Sequence, residues 1–233
     1  MPKKEAIQEM FDSVAPSYDH LNHIMSLNVD RIWRRKAVRE IVDGTPQKIL
    51  DVACGTGDST IGIARAAGSG SKITGADISE GMMKLVWEKA AKAGVHDKIK
   101  LICADGEALP FPDASFDRVT CAFGIRNFEH KDKGLEEFLR VLVPGGKVVI
   151  LELSVPRKKW IRNIYNLYFM HIVPWIGGMI SGNKQAYKYL PASVKAFPAP
   201  EIFCNMIRCA GFDDVQFRTF TFGLCRMYVG VKR

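Results

Sequence analysis

Ile49-Leu50-Asp51-Val52-Ala53 is a short apolar run that stops at Cys54-Gly55-Thr56-Gly57, and beyond it Ile61, Ile63, Ala64 and Ala67 recur at helical spacing. A buried strand, a glycine turn and a helix are read in succession. The alternation continues outward. Lys72–Asp77 reads as a second strand, and Ser79 is placed to cap a helix through about Ala93. Ile99–Cys103 and Phe116–Phe123 read as the third and fourth strands. A helix over Lys131–Leu142, a turn at Pro144-Gly145-Gly146 and a fifth strand over Lys147–Leu153 complete the series. Strands alternating with helices at this spacing predict an α/β fold with a parallel sheet covered on both faces.

The two ends read differently. In residues 5–43 the stripe Ile7, Met10, Phe11 and Val14 predicts helices, interrupted at Pro16, with Asp30 placed to cap a second helix through Arg39. Arg157–Ser181 is aromatic, basic and expected to be helical, with an interruption at Pro174; Ala199–Ala210 reads as another helix stopped by Gly211. Val215–Phe220 and Arg226–Val231 are separated only by Thr221 to Cys225. That connection is too short for a crossover helix, so these two strands must be antiparallel.

Composition excludes several classes. The 233 residues are 47% hydrophobic and 25% charged, which rules out a disordered chain, a collagen-like chain and a disulfide-stapled miniprotein. No run of about 18 uncharged apolar residues is present, so no transmembrane helix is expected. The first residues, Met1-Pro2-Lys3-Lys4-Glu5, lead into no apolar stretch and are not expected to act as a secretory signal. The six cysteines match no zinc spacing and read as small core residues of a reducing cytoplasm. His20 and His23 could share a helix face, but two histidines alone make a poor metal site, so no metal is expected. The net charge of +8 is uneven: +1 over residues 1–48, −2 over 49–155 and +9 over 156–233. A basic last third either attracts an anionic surface or is simply a solvated face.

The glycine turn carries the chemistry. Asp77 ends the second strand 20 residues past Gly57, where a carboxylate can accept hydrogen bonds from both hydroxyls of a ribose. A dinucleotide fold wants a third glycine where this chain has Thr60. Asp51 and Asp58 would sit badly beside a diphosphate. They suit a cationic ligand such as S-adenosylmethionine, which has a sulfonium, an ammonium and no phosphate. Asp105 ends the third strand, where the adenine edge would lie.

Asp51 to Gly57, Asp77, Asp105-Gly106-Glu107-Ala108-Leu109-Pro110-Phe111 and Leu142-Val143-Pro144-Gly145-Gly146 resemble class I S-adenosylmethionine-dependent methyltransferases. More narrowly, Phe11-Asp12-Ser13-Val14-Ala15-Pro16-Ser17-Tyr18-Asp19 and Phe123-Gly124-Ile125-Arg126-Asn127-Phe128 resemble the menaquinone/ubiquinone biosynthesis C-methyltransferase family. The resemblance covers nearly the whole chain. It implies a Rossmann-like, seven-stranded sheet with an antiparallel last strand and helices on both faces, in agreement with the late hairpin. It implies a single domain over 1–233, with 1–43 as a helical cover over the active site and 156–212 as a helical insertion facing substrate and membrane.

It also implies cofactor contacts. Asp51, Gly55, Thr56 and Gly57 would form the loop, Asp77 would hold the ribose, and Asp105 and Gly106 would lie beside the adenine. A serine common after the fourth strand in this family is Ala122 here, so only a backbone contact is expected there. The implied reaction methylates a ring carbon of a polyprenyl quinol, with demethylmenaquinol favoured. The hydroquinone is needed, because losing a phenolic proton pushes charge onto the adjacent carbon. Arg126 would stabilise that phenolate and Asn127 would orient the same oxygen. Tyr18 and Asp19 would close over the ring, and His130 is a further proton acceptor to consider. Trp160 to Met170, preceded by Arg157, Lys158 and Lys159, either lies on an anionic membrane or packs on the domain core. The expected location is cytoplasmic, with contact at the inner face of the cytoplasmic membrane. Rival readings are an RNA or DNA methyltransferase, a non-catalytic S-adenosylmethionine-binding protein, and a nicotinamide oxidoreductase. Phe123-Gly124-Ile125-Arg126 replaces the Pro-Pro-aromatic signature of many base methylators, and no nucleic-acid partner is expected.

Overall fold

Apolar strands buried on both faces set the sheet. The computed structural model describes residues 4–168 and 184–233. β1 (Lys48–Val52), β2 (Lys72–Asp77), β3 (Ile99–Cys103), β4 (Phe116–Ala122) and β5 (Leu142–Leu153) run parallel, and β6 (Asp213–Phe220) and β7 (Cys225–Val231) complete the sheet. The order is β3-β2-β1-β4-β5-β7-β6, with β7 antiparallel to both its neighbours. The chain runs outward from β1 to β3 and then returns to the other side of β1 as β4. Strand order therefore reverses between β1 and β4, and the crevice at their carboxyl ends is where such folds bind ligands.

Each face carries its own apolar layer. α2 (Val29–Ile41), α3 (Asp58–Ala66) and α4 (Glu80–Lys92) cover one face, where Trp33, Ile41, Ile63 and Ala90 pack on Ile49, Ile73 and Val149. α5 (Lys131–Val141) and α8 (Pro200–Cys209) cover the other through Phe138, Phe203 and Ile207, against Ile150 and Tyr228. Phe203 meets Tyr228 edge-on at 4.8 Å between ring centres. Ser79 caps α4 as expected, accepting from the Met82 amide at 3.1 Å.

Several expectations change. α1 (Lys4–Met25) runs through Pro16 without a break. Proline removes one helix hydrogen bond, but Val14 and Ala15 pack on Met82 of α4, and Asp12 accepts from the Ser79 hydroxyl and the Gly81 amide. Asp30 does not cap α2. The helix starts at Val29, and Asp30 turns inward, with the Ser26 hydroxyl on one oxygen at 2.5 Å and His23 Nδ1 on the other at 2.9 Å. β5 begins at Leu142 rather than Lys147. Leu142 pairs with Phe116 and the next pair is Lys147 with Arg118, so Pro144-Gly145-Gly146 is a bulge within the strand.

In the tail, α6 (Lys159–Leu167) is helical as expected, and α7 (Lys184–Ala196) is a further helix between it and α8. The remainder of the stretch expected to reach Ser181, including Pro174, lies outside the described residues. Phe197 and α8 pack into the main core. The cysteines are free thiols; Cys54, Cys121, Cys204 and Cys225 are buried, but Cys103 and Cys209 are exposed.

Candidate active site

β1 delivers Asp51 into the crevice. Its Oδ2 accepts the Thr60 hydroxyl at 2.6 Å, while Oδ1 is buried with no hydrogen-bond partner among the described residues. Burial pushes the Asp51 carboxyl up to about 6, against the opposing hydrogen bond from Thr60. The residue in the place of a third glycine thus serves to hold Asp51. Gly57 has φ +83°, and an added Cβ would stand 2.6 Å from Val86 Cγ1, so both the backbone and α4 exclude a side chain there. Asp77 takes one amide on each oxygen, Gly55 N at 2.7 Å and Ser79 N at 2.9 Å. Burial raises its pKa, and those two amides oppose the rise.

Asp51, Gly55, Thr56, Asp77, Asp105, Gly106 and Ala122 line one cleft, with Gly57 behind it. α1 crosses the opening. Lys4 donates to Asp105 at 2.8 Å, and the Thr56 hydroxyl donates to Asp19 at 2.5 Å. Lys89 joins Asp19 at 2.6 Å and also pairs with Asp58. Asp19 therefore faces the glycine loop rather than the apolar cavity described next, because its carboxylate is engaged by Thr56 and Lys89. The donor set suits a cationic nucleoside: Asp51 Oδ1 is an orphaned buried acceptor, and each Asp77 oxygen retains a lone pair beyond its single amide. A diphosphate would meet these carboxylates head-on.

A second, apolar cavity of about 370 Å³ opens beside the first, with Trp33, Ile161, Tyr165 and Leu224 in its wall. Tyr18, Arg34 and Phe123 line both spaces. Phe123 has φ +64°, a conformation that bulky residues adopt at cost and that clusters at functional sites. Its ring lies 6.4 Å from that of Trp33 and 4.8 Å from the Arg34 guanidinium.

Arg126 reaches the apolar cavity from the turn after β4 and is buried. Its Nη1 donates to Glu152 Oε1 at 3.0 Å and to the Phe123 carbonyl, and its amide donates to Glu152 Oε2 at 3.1 Å. Burial works against the charge on Arg126, but the charge and hydrogen bond of Glu152 together with Tyr18 and Tyr189 outweigh it, and the proton is held more firmly than usual. Asn127 lines the polar cleft. Its Oδ1 accepts the Tyr189 hydroxyl at 3.1 Å, which leaves the amide NH₂ to donate. His130 is exposed at the start of α5 and lines neither space. His23 lies with Asp30 and Asp58, ligand atoms within 4.8 Å of one another. Arg34 and Lys89 already sit on its acids, at 3.8 Å from Asp30 and in direct contact with Asp58. The side chain of His20 lies outside the described residues.

Glu152, Tyr189, Phe123 and Trp33 are site residues that the sequence reading passed over. Glu152 had a signal, an acid inside the apolar run Val148 to Leu153. Phe123 had one in its place at the head of the Phe123 to Phe128 motif; Trp33 and Tyr189 had none, because an aromatic residue on a helix reads as packing.

A profile of the ubiE/COQ5 methyltransferase family matches residues 1–232. The chain belongs to that family. It is 46% identical over 230 residues to a demethylmenaquinone methyltransferase of Bacteroides fragilis, covering 99% of this chain and 94% of the relative. It is 47% identical over 230 residues to a ubiquinone/menaquinone biosynthesis C-methyltransferase of Geobacter sulfurreducens, covering 99% and 90%. Among solved structures, the [4+2]-cyclase SpnF superposes with a TM-score of 0.72 at 18% identity, over 99% of this chain and 96% of that one. That likeness concerns the fold alone. Family membership is what makes this chain a methyltransferase with the class I, Rossmann-like architecture.

Proposed function

We propose that this methyltransferase moves a methyl group from S-adenosylmethionine to a ring carbon of a polyprenyl quinol, with demethylmenaquinol as acceptor. The supporting observation is the shared wall. An acid-lined cleft and an apolar cavity of about 370 Å³ meet at Tyr18, Arg34 and Phe123. The cleft suits a cationic nucleoside, and the cavity suits a quinol ring with the start of its isoprenoid tail. The relative from Bacteroides fragilis carries this acceptor's precursor in its name.

When bound, S-adenosylmethionine supplies an electrophilic methyl on a cationic sulfur. The protein's part is to orient and to polarise. Asp77 and Asp105 hold the nucleoside from the second and third strands, and ionised Asp51 favours its positive end. Arg126 donates to the quinol oxygen. Because Glu152 neutralises it, Arg126 acts as an aimed donor rather than a free charge, in a water-poor site where such bonds are strong. Asn127, with its carbonyl engaged by Tyr189, adds its amide hydrogens to the same oxygen. Loss of the phenolic proton to solvent raises electron density on the adjacent carbon, holding that carbon in line with the methyl supplies a further large share of the rate, and loss of the ring proton to solvent afterwards restores the aromatic ring.

α6 connects this site to a bilayer. Ile161, Ile164 and Tyr165 line the cavity, Ile164 at its exposed edge, while Trp160 and Leu167 are exposed beside Lys158, Lys159 and Arg162. No helix among the described residues is long and apolar enough to cross a membrane. The amphipathic, basic-flanked helix supports peripheral contact with an anionic cytoplasmic surface. The test is label transfer from S-adenosylmethionine to short-chain demethylmenaquinol, to a ubiquinol precursor and to RNA. Transfer to the quinols alone is expected, fastest to demethylmenaquinol; label in RNA, with none in either quinol, would replace this reading.

A further inference from the structure

Arg226 is a buried cation that no ion pair among the described residues compensates. It sits on β7 and is only 4% exposed. Its Nε is enclosed with no hydrogen bond, and its side chain makes no ion pair among the described residues. Burying a charge in this way is costly unless something compensates it. Burial accordingly weakens its hold on the proton, and the neighbouring Arg157 adds to that.

The residue borders an open pocket of about 310 Å³ between the β6–β7 turn and the start of α6. Arg157 and Lys158 are two further cations in its wall, and Phe217 and Phe222 supply the apolar part. The nearby acid is Glu201, exposed and held by Arg157. Cations therefore exceed acids around the pocket, and the most enclosed one is unmatched. We propose that this pocket takes the phosphate of an anionic phospholipid headgroup, with Arg226 as its anchor. The proposal rests on the peripheral-membrane reading above and adds a defined lipid site to it.

The surroundings select a lipid over a free anion. Phe222 is 74% exposed and held at φ +56°, a strained position for a bulky residue. Trp160, Ile164 and Leu167 are each more than 60% exposed on the adjoining α6. A dissolved phosphate gives these side chains nothing to contact. A headgroup arrives with acyl chains that they can enter while the cations stay at headgroup depth.

The test is co-sedimentation of the full chain with phosphatidylcholine vesicles, with and without phosphatidylglycerol, comparing wild type, Arg226→Met and Arg157→Gln/Lys158→Gln. Loss of Arg226 or of Lys158 should each weaken binding to the anionic vesicles about fivefold, and loss of Arg157, paired with Glu201, by less, with little change on phosphatidylcholine alone. Arg226→Met should keep its melting temperature and its methyl transfer to a short-chain quinol, because Arg226 lies outside that site. Glycerophosphoglycerol should raise the melting temperature of wild type more than inorganic phosphate does at matched ionic strength. Unchanged partitioning of Arg226→Met and of the rim variant would overturn the proposal. So would equal protection by inorganic phosphate with no preference for anionic vesicles, which marks a free-anion site, or a loss of RNA binding in place of vesicle binding. Should Arg226→Met fail to fold, the rim variant and the headgroup protection decide alone. A failure of quinol methylation in wild type would count against the proposed reaction and leave the partitioning result to stand by itself.

Discussion

Asp77 holds its own loop and is proposed to hold the ribose with the same two oxygens. Each accepts one backbone amide, from Gly55 or from Ser79, and keeps a lone pair for a hydroxyl. Two charge-assisted bonds at about 1.5–3 kcal/mol each predict at least a tenfold loss of S-adenosylmethionine affinity in Asp77→Ala. Calorimetric titration of the folded variant checks this, and an unchanged affinity would remove the ribose assignment. Asp51 predicts a pH dependence. Its folded pKa of about 6 lies above the ordinary 3.8, so its contribution to stability is complete below about 3.8 and is lost as pH rises through about 6. Cation binding needs the opposite form. Affinity for S-adenosylmethionine should therefore fall as pH drops below about 6, and Asp51→Asn should flatten that profile. A wild-type affinity that is level between pH 5 and 7 would contradict the role of Asp51.

At the scale of elements, the Arg126–Glu152 pair ties the turn after β4 to β5. Glu152 is 0% exposed, so removing Arg126 alone leaves an uncompensated buried carboxylate at a cost of about 3–5 kcal/mol. Arg126→Ala should lose turnover by about 10²–10³-fold, with cofactor affinity nearly intact, and should also melt lower. The double variant Arg126→Met/Glu152→Met separates the two effects. Stability should return and activity should not; recovery of both would show that Arg126 acts only through the fold. α1 makes a different prediction. Polar latches at Lys4, Asp12 and Asp19 tie it to Asp105, Ser79 and Thr56 across the cleft, so it should open locally more often than the sheet. Amide exchange in α1 should be faster than in β1 and β4, and should slow when S-adenosylmethionine is added. Equal protection of α1 and the sheet would mean that the helix is no cover.

For the whole molecule, charge and redox state set the remaining expectations. Removing Arg157, Lys158, Lys159 and Arg162 together should weaken binding to anionic vesicles by several kcal/mol, at about 1 kcal/mol per residue near the surface, and salt should weaken the wild type too. Arg157 is paired with Glu201 and should account for less than its share. Co-sedimentation identical to wild type would make the segment a solvated face. Methyl transfer should require the reduced hydroquinone, since an electron-poor quinone ring is no nucleophile; equal single-turnover rates under oxidising conditions would refute the phenolate mechanism.

Local spacing was enough for the strands, because a strand buried on both faces must be a short apolar run such as Ile49–Val52. The placement of the Gly55-Thr56-Gly57 turn and of Asp77 was legible for the same reason, since it depends on backbone geometry within one βαβ unit. The final hairpin was legible from its short connection. Pro16 and Asp30 misled because local preference was overridden. Packing on Met82 carried α1 through the proline, and Ser26 and His23 drew Asp30 inward. The partners of Arg126 and Arg226 depended on tertiary structure. Glu152 and Arg226 face each other across β5 and β7, yet Glu152 bonds to Arg126 and Arg226 forms no ion pair among the described residues. Register makes the two residues neighbours, but the turn after β4 brings Arg126 to the carboxylate, and that long-range competition is settled only when the whole sheet has closed.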